Sequence, residues 1–102
     1  MKRLEEAFRA AKKIGRAAFI PYVTAGDPNL EATVGLVRAL ARAGADVIEL
    51  GVPFSDPIAD GPTNQRAAER SLAVGTTLAG VLASVEVIRR DLEIPIVLFT
   101  YA

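Results

Sequence analysis

Three short apolar runs, each followed or preceded by a stretch of helical period, constrain this chain more than any other feature. The runs are Ala17 to Val23 (AAFIPYV), Asp46 to Leu50 (DVIEL) and Ile94 to Tyr101 (IPIVLFTY). Each has the length and branching of a buried strand. Around them, Leu4, Phe8, Ala11 and Ile14 recur at helical spacing, as do Leu30, Val34, Val37 and Leu40. A third helix is expected from Pro62 through Ala73, and a fourth carries Leu78, Val81, Leu82, Val85 and Ile88. Asn29 and Thr76 or Thr77 suit N-caps, Pro62 suits a first helical turn, and Gly15, Gly44 and Gly75 stand where helices stop. Arg89 and Arg90 complement the negative end of the fourth helix dipole. Strands that are apolar throughout and alternate with helices predict successive parallel crossover units, buried on both faces. Two architectures fit, a doubly wound sheet and a (β/α)8 barrel. The first strand–helix turn, TAGDPN, lacks the spaced glycines of a dinucleotide fingerprint, which lowers the first reading.

The totals narrow the chemistry. At 102 residues the chain supplies one small domain. Twelve basic and twelve acidic residues cancel, leaving no basic stripe for a phosphate backbone, so nucleic acid is not an expected partner. Cysteine and histidine are absent, which excludes disulfides and thiolate or imidazole metal ligands, and no metal site is expected. Acid–base chemistry therefore falls to Asp, Glu, Lys or Tyr. No apolar run reaches bilayer length, and MKRLEEAFRAAKK is too charged for a secretory signal. The expected location is cytoplasmic, with no membrane partner.

Glu49 is the residue that the pattern isolates. Side chains alternate across a strand, so Ile48 and Leu50 share one face while Val47, Glu49 and Gly51 share the other. Ile48 and Leu50 are expected to pack against helices, turning Glu49 to the opposite side near the carboxyl end of its strand. In a barrel that side is the interior, and the carboxyl rim is where active sites sit. Desolvation there raises a carboxyl pKa, the route by which a glutamate serves as acid or base near neutrality. The other reading is an edge strand with Glu49 in solvent, or a structural partner for a buried arginine.

The following loop, GVPFSDPIADGPTNQRA, is long for a crossover unit, and long loops tend to carry function. It holds Asp56 and Asp60, with Pro57 between them and Pro53 and Pro62 stiffening the ends. Asp-Pro and Asp-Gly are ordinary turn pairs. Asp56 alone reads as such a turn, whereas Asp60 taken with Glu49 reads as a second acid.

The segment IELGVPFSDPIADGP, Ile48 through Pro62, closely resembles the signature of the tryptophan synthase alpha chain family. FIPYVTAGDP from Phe19 to Pro28, Gln65 and the terminal VLFTYA support the resemblance, which spans the chain from the first helix onward. Asn64 departs from it, standing where the family usually has an apolar residue.

What the resemblance implies is a (β/α)8 TIM barrel, of which residues 1–102 would be the N-terminal part of a single domain, with three strands and their helices. It implies cleavage of indole-3-glycerol phosphate to indole and glyceraldehyde 3-phosphate. The family's catalytic acids fall on Glu49 and Asp60, and its indole pocket on Tyr22, Phe99 and Tyr101. Pro53, Asp56 and Pro57 lie on the loop that meets the beta chain in an alpha2–beta2 tetramer. No cofactor is expected in this chain, pyridoxal phosphate belonging to the beta partner. A complete barrel of this kind takes about 250 residues, and its phosphate is commonly bound after the seventh and eighth strands. Residues 1–102 alone are therefore expected to be inactive, the activity residing in a longer parent. A fragment that retains only the beta-binding surface, or a small open α/β binding domain, are the competing expectations.

Overall fold

The computed structural model describes residues 2–54 and 61–100. Its elements run α1 (Lys2–Lys13), β1 (Tyr22–Thr24), α2 (Leu30–Arg42), β2 (Ile48–Gly51), α3 (Pro62–Ala73), α4 (Leu78–Arg89) and β3 (Ile96–Phe99). The strands form one parallel sheet in the order β1-β2-β3, so each strand pairs with the one before it in the chain.

The local signals explain the helices. Asn29 is extended, and its side-chain oxygen accepts from the Ala32 backbone N–H, closing the first turn of α2. Thr77 does the same for α4 through the Gly80 N–H, at 3.1 Å. At the far end of α4, Arg89 does more than complement a dipole: its guanidinium donates to the carbonyls of Leu92 and Ile94, at 3.1 and 2.7 Å. Gly15, Gly44 and Gly75 follow α1, α2 and α3 with φ of 73°, 106° and 82°, a backbone region costly for any residue with a Cβ.

The strands are shorter than the apolar runs predict, and proline is part of the reason. The Phe19 carbonyl accepts from the Asp46 N–H and the Pro21 carbonyl from the Glu49 N–H, both at 2.9 Å. Two residues on one side thus face three on the other, the mark of an inserted residue at the entrance to β2. Pro21 has no N–H to continue the ladder. Residues 17–21 therefore run beside β2 without joining the sheet, and Asp46 and Val47 precede the strand instead of opening it. Asp46 is used differently: it takes a two-pronged contact from Arg16, at 2.6 and 2.7 Å, and the Phe19 N–H at 2.7 Å.

The core lies on one face of the sheet. Val23, Ala25, Ile48 and Leu50 meet Val37 of α2 and Val81 and Ile88 of α4, with Leu30, Val34, Leu40, Val85, Ile96 and Leu98 packed around them. Ile48, Leu50, Val37, Val81 and Ile88 are each fully buried. At roughly 1.5–3 kcal/mol for each buried aliphatic side chain, these five outweigh any single polar contact in the chain. Two helical faces depart from expectation. In α1, Ala11 is buried but Phe8 is exposed, as is Ile14 just past the helix, and in α4, Leu78 and Leu82 are exposed.

Candidate active site

The face opposite the core is the one that carries Glu49. Register aligns Tyr22, Glu49 and Val97 in one cross-strand row and Thr24, Gly51 and Phe99 in the next, one step nearer the carboxyl ends. In the alternate rows Val23, Leu50 and Leu98, and Ile48 and Ile96, belong to the core. Glu49 is half-buried between Tyr22 and Val97, which are 39% and 36% exposed. Its strand neighbours Ile48 and Leu50 have no exposure at all. Alternation thus places the carboxylate away from the helices, at the carboxyl half of the central strand. No ion pair or hydrogen bond links the Glu49 side chain to any described residue.

Tyr22 and Phe99 come together above this row. Their rings meet edge to face, with centroids 6.2 Å apart, spanning β2 from either side. Gly51 makes the approach possible, since a Cβ there would collide with the Tyr22 hydroxyl and ring. The sheet surface beside Glu49 is thereby an aromatic floor with one carboxylate set into it. Tyr101, Asp56, Pro57 and Asp60 lie outside the described residues. Pro53 follows β2 and is half-buried beside the exposed Phe54.

The rim beyond β1 holds residues that pattern reading missed. The Ala25 N–H donates to the Gly51 carbonyl at 2.9 Å, while the Ala25 carbonyl accepts from the buried Ser71 hydroxyl of α3 at 2.6 Å. Thr33 accepts from the Gly26 N–H at 2.9 Å, and a Cβ on Gly26 would strike Thr76 and Ser71. Asp27 receives two parallel bonds from Arg70, each 2.9 Å. That fork holds the Asp27 carboxyl below its ordinary pKa and raises the guanidinium. Asp46, at the other end of the sheet, is lowered to about 2 by Arg16 and by the Phe19 N–H. The signal that could have found Asp27 is its place directly after a strand, where βα loops carry function.

Among the described residues no group of three or more acidic side chains is arranged to hold a metal ion. Nor is any single helix among them long and apolar enough to cross a membrane.

Comparison with known proteins identifies the family and the fold. The family model for the tryptophan synthase alpha chain matches residues 8–102. The alpha chain of Xanthomonas axonopodis pv. citri is 59% identical over 102 residues, covering 99% of this chain and 38% of that protein. The alpha chain of Solibacter usitatus is 57% identical, with the same coverages. Among solved structures, tryptophan synthase subunit alpha from Legionella pneumophila superposes with a TM-score of 0.90 at 42% identity, over 94% of this chain and 37% of that one. Tryptophan synthase from Mycobacterium tuberculosis, in an aminoacrylate-bound form, gives 0.87 at 41%, over 94% and 39%. The chain therefore spans less than two-fifths of the length of these relatives, and its three strands are an arc of their (β/α)8 barrel. By sequence and by fold, this chain belongs to the tryptophan synthase alpha chain family.

Proposed function

We propose that residues 1–102 are the opening part of a single barrel domain that cleaves indole-3-glycerol phosphate to indole and glyceraldehyde 3-phosphate. The observation that carries this is the position of Glu49. It stands on the open face in one row with Tyr22, beside Phe99, while Ile48 and Leu50 on either side are fully buried under helices. The step is a retro-aldol cleavage. A proton is added to the indole carbon that bears the glycerol chain, giving a cationic indolenine. Removal of the proton from the adjoining hydroxyl then turns that carbon into the aldehyde. The electron pair of the breaking carbon–carbon bond returns to the ring and neutralises it.

Glu49 is the group proposed to carry these protons. Asp60 is proposed to hold the indole N–H and to stabilise the positive charge as it builds, a task suited to an ionised carboxylate. Tyr22, Phe99 and Tyr101 would bracket the indole. The partner proposed is a tryptophan synthase beta chain that holds pyridoxal phosphate, reached through Pro53, Asp56 and Pro57, in the cytoplasm.

Glu49→Gln in the full-length protein tests the assignment. Cleavage should vanish while indole-3-glycerol phosphate still binds in equilibrium titration, because proton transfer is lost and binding is not. Turnover comparable to the parent would sink it. The peptide of residues 1–102 by itself should show no measurable cleavage, since phosphate in such barrels is held after the seventh and eighth strands. Remote binding energy of that kind supports rate at the reacting centre.

A further inference from the structure

The β1–α2 turn makes a cluster of specific contacts with α3. Three successive residues of the turn engage the far half of the helix and the bend behind it. Ala25 accepts from Ser71, Gly26 has no room for a side chain against Ser71 and Thr76, and Asp27 takes both prongs of Arg70. The Arg70 side chain is 58% exposed, and ion pairs so open to water contribute little to folding. What a two-pronged pair does supply is a fixed distance and a fixed angle. The same Ala25 also donates to Gly51, two residues beyond Glu49. One residue thus ties the strand of Glu49 to α3.

The opposite end of α3 is held differently. Gly61 caps it with no side-chain hydrogen bond, Pro62 and Thr63 are exposed, and no acidic residue occupies the first turn. In sequence, Asp60 stands two residues before Pro62. From Arg70 back to Pro62 the helix runs roughly 12 Å, so a tilt of about 5° at the anchored end moves Pro62 by about 1 Å. A displacement of that size at a reacting centre can cost on the order of 100-fold in rate.

We propose that Asp27, Arg70 and Ser71 are positioning residues, which index α3, the helix that follows Asp60 in the sequence, to the strand that carries Glu49. The proposal rests on the catalytic reading of Glu49 and Asp60. Asp27, Arg70 and Ser71 touch no reacting atom themselves. Their effect is transmitted through a rigid helix anchored at its distal half.

The test is steady-state cleavage of indole-3-glycerol phosphate by the full-length protein and its Asp27→Asn, Arg70→Gln and doubly substituted variants. Rates are expressed per folded molecule, using circular dichroism and the thermal midpoint. Each single change should lower kcat by about 10- to 100-fold with KM held within about threefold. The double variant should be no slower than the worse single one, because both changes remove one interaction. Arg70→Lys, which keeps the charge but not the fork, should fall between the parent and Arg70→Gln, and it replaces the latter if that variant does not fold. Two results overturn the proposal: kcat per folded molecule within twofold of the parent in the single variants, or losses that multiply in the double one. A parent protein that cleaves no substrate would instead remove the catalytic reading on which the proposal stands.

Discussion

The phenol of Tyr22 occupies the space that a Cβ on Gly51 would need, so the β1 residue and the β2 residue fit only as a pair. Gly51 has no left-handed φ and sits in a regular strand, so its lack of a side chain is a matter of room. Gly51→Ala is expected to displace the Tyr22 ring from Phe99 and to destabilise the protein by about 1–3 kcal/mol, the usual cost of overfilling a packed site. Urea unfolding measures it. Combining Gly51→Ala with Tyr22→Ala should recover part of that loss relative to the sum of the single changes. Strict additivity would show that the two positions do not meet.

Asp46 gives the protein an acid-sensitive joint. Arg16 and the Phe19 N–H stabilise its ionised form and lower the pKa to about 2. A carboxyl depressed in the folded state adds stability that is fully present above its ordinary value near 3.8. That stability is lost as pH falls from there through about 2. Asp46→Asn should therefore be less stable than the parent at neutral pH, with the gap closing below pH ~4. Thermal midpoints taken across that range check it, and a gap independent of pH would refute the linkage.

Thr33 is fully buried in α2, accepts from the Gly26 N–H and donates to the Asn29 carbonyl at 3.1 Å. Thr33→Val keeps the shape and removes the acceptor, leaving a buried N–H unpaired at a cost of about 1–3 kcal/mol. Thr33→Ser keeps the hydroxyl and should lose less. Denaturant midpoints of the two variants, compared side by side, decide whether the hydroxyl or the methyl matters more.

Ile48 fills the centre of the helix-facing core with no exposed surface. Ile48→Ala should cost about 2–5 kcal/mol, against less than about 1.5 kcal/mol for Ile48→Val. Equilibrium unfolding reads both. Equal losses would mean that the site collapses around either replacement.

The parts of this architecture that recur locally were open to reading from the residues. The apolar runs, the caps at Asn29 and Thr77 and the stops at Gly15, Gly44 and Gly75 are each written within a few positions of where they act. The opposition of Glu49 to Ile48 and Leu50 follows from a period of two and needs no knowledge of distant contacts. Strand limits were not legible, because they depend on Pro21 and on an inserted residue near Val47, whose effect is felt across two neighbouring segments. The Asp27–Arg70 fork joins residues 43 apart, and in sequence Asp27 looks like half of an ordinary Asp-Pro turn. Ser71 and Gly51 are equally silent, since each owes its identity to what a distant segment places against it. Phe8 and Ile14 show the reverse case, a helical stripe with no cover among the described residues.

Among the described residues, the sheet order β1-β2-β3 leaves Tyr22–Thr24 with one flank unmated. In a closed eight-stranded ring such a flank is taken up by another strand. The short length of Tyr22–Thr24, three residues, limits the pairing that flank can offer to other chains.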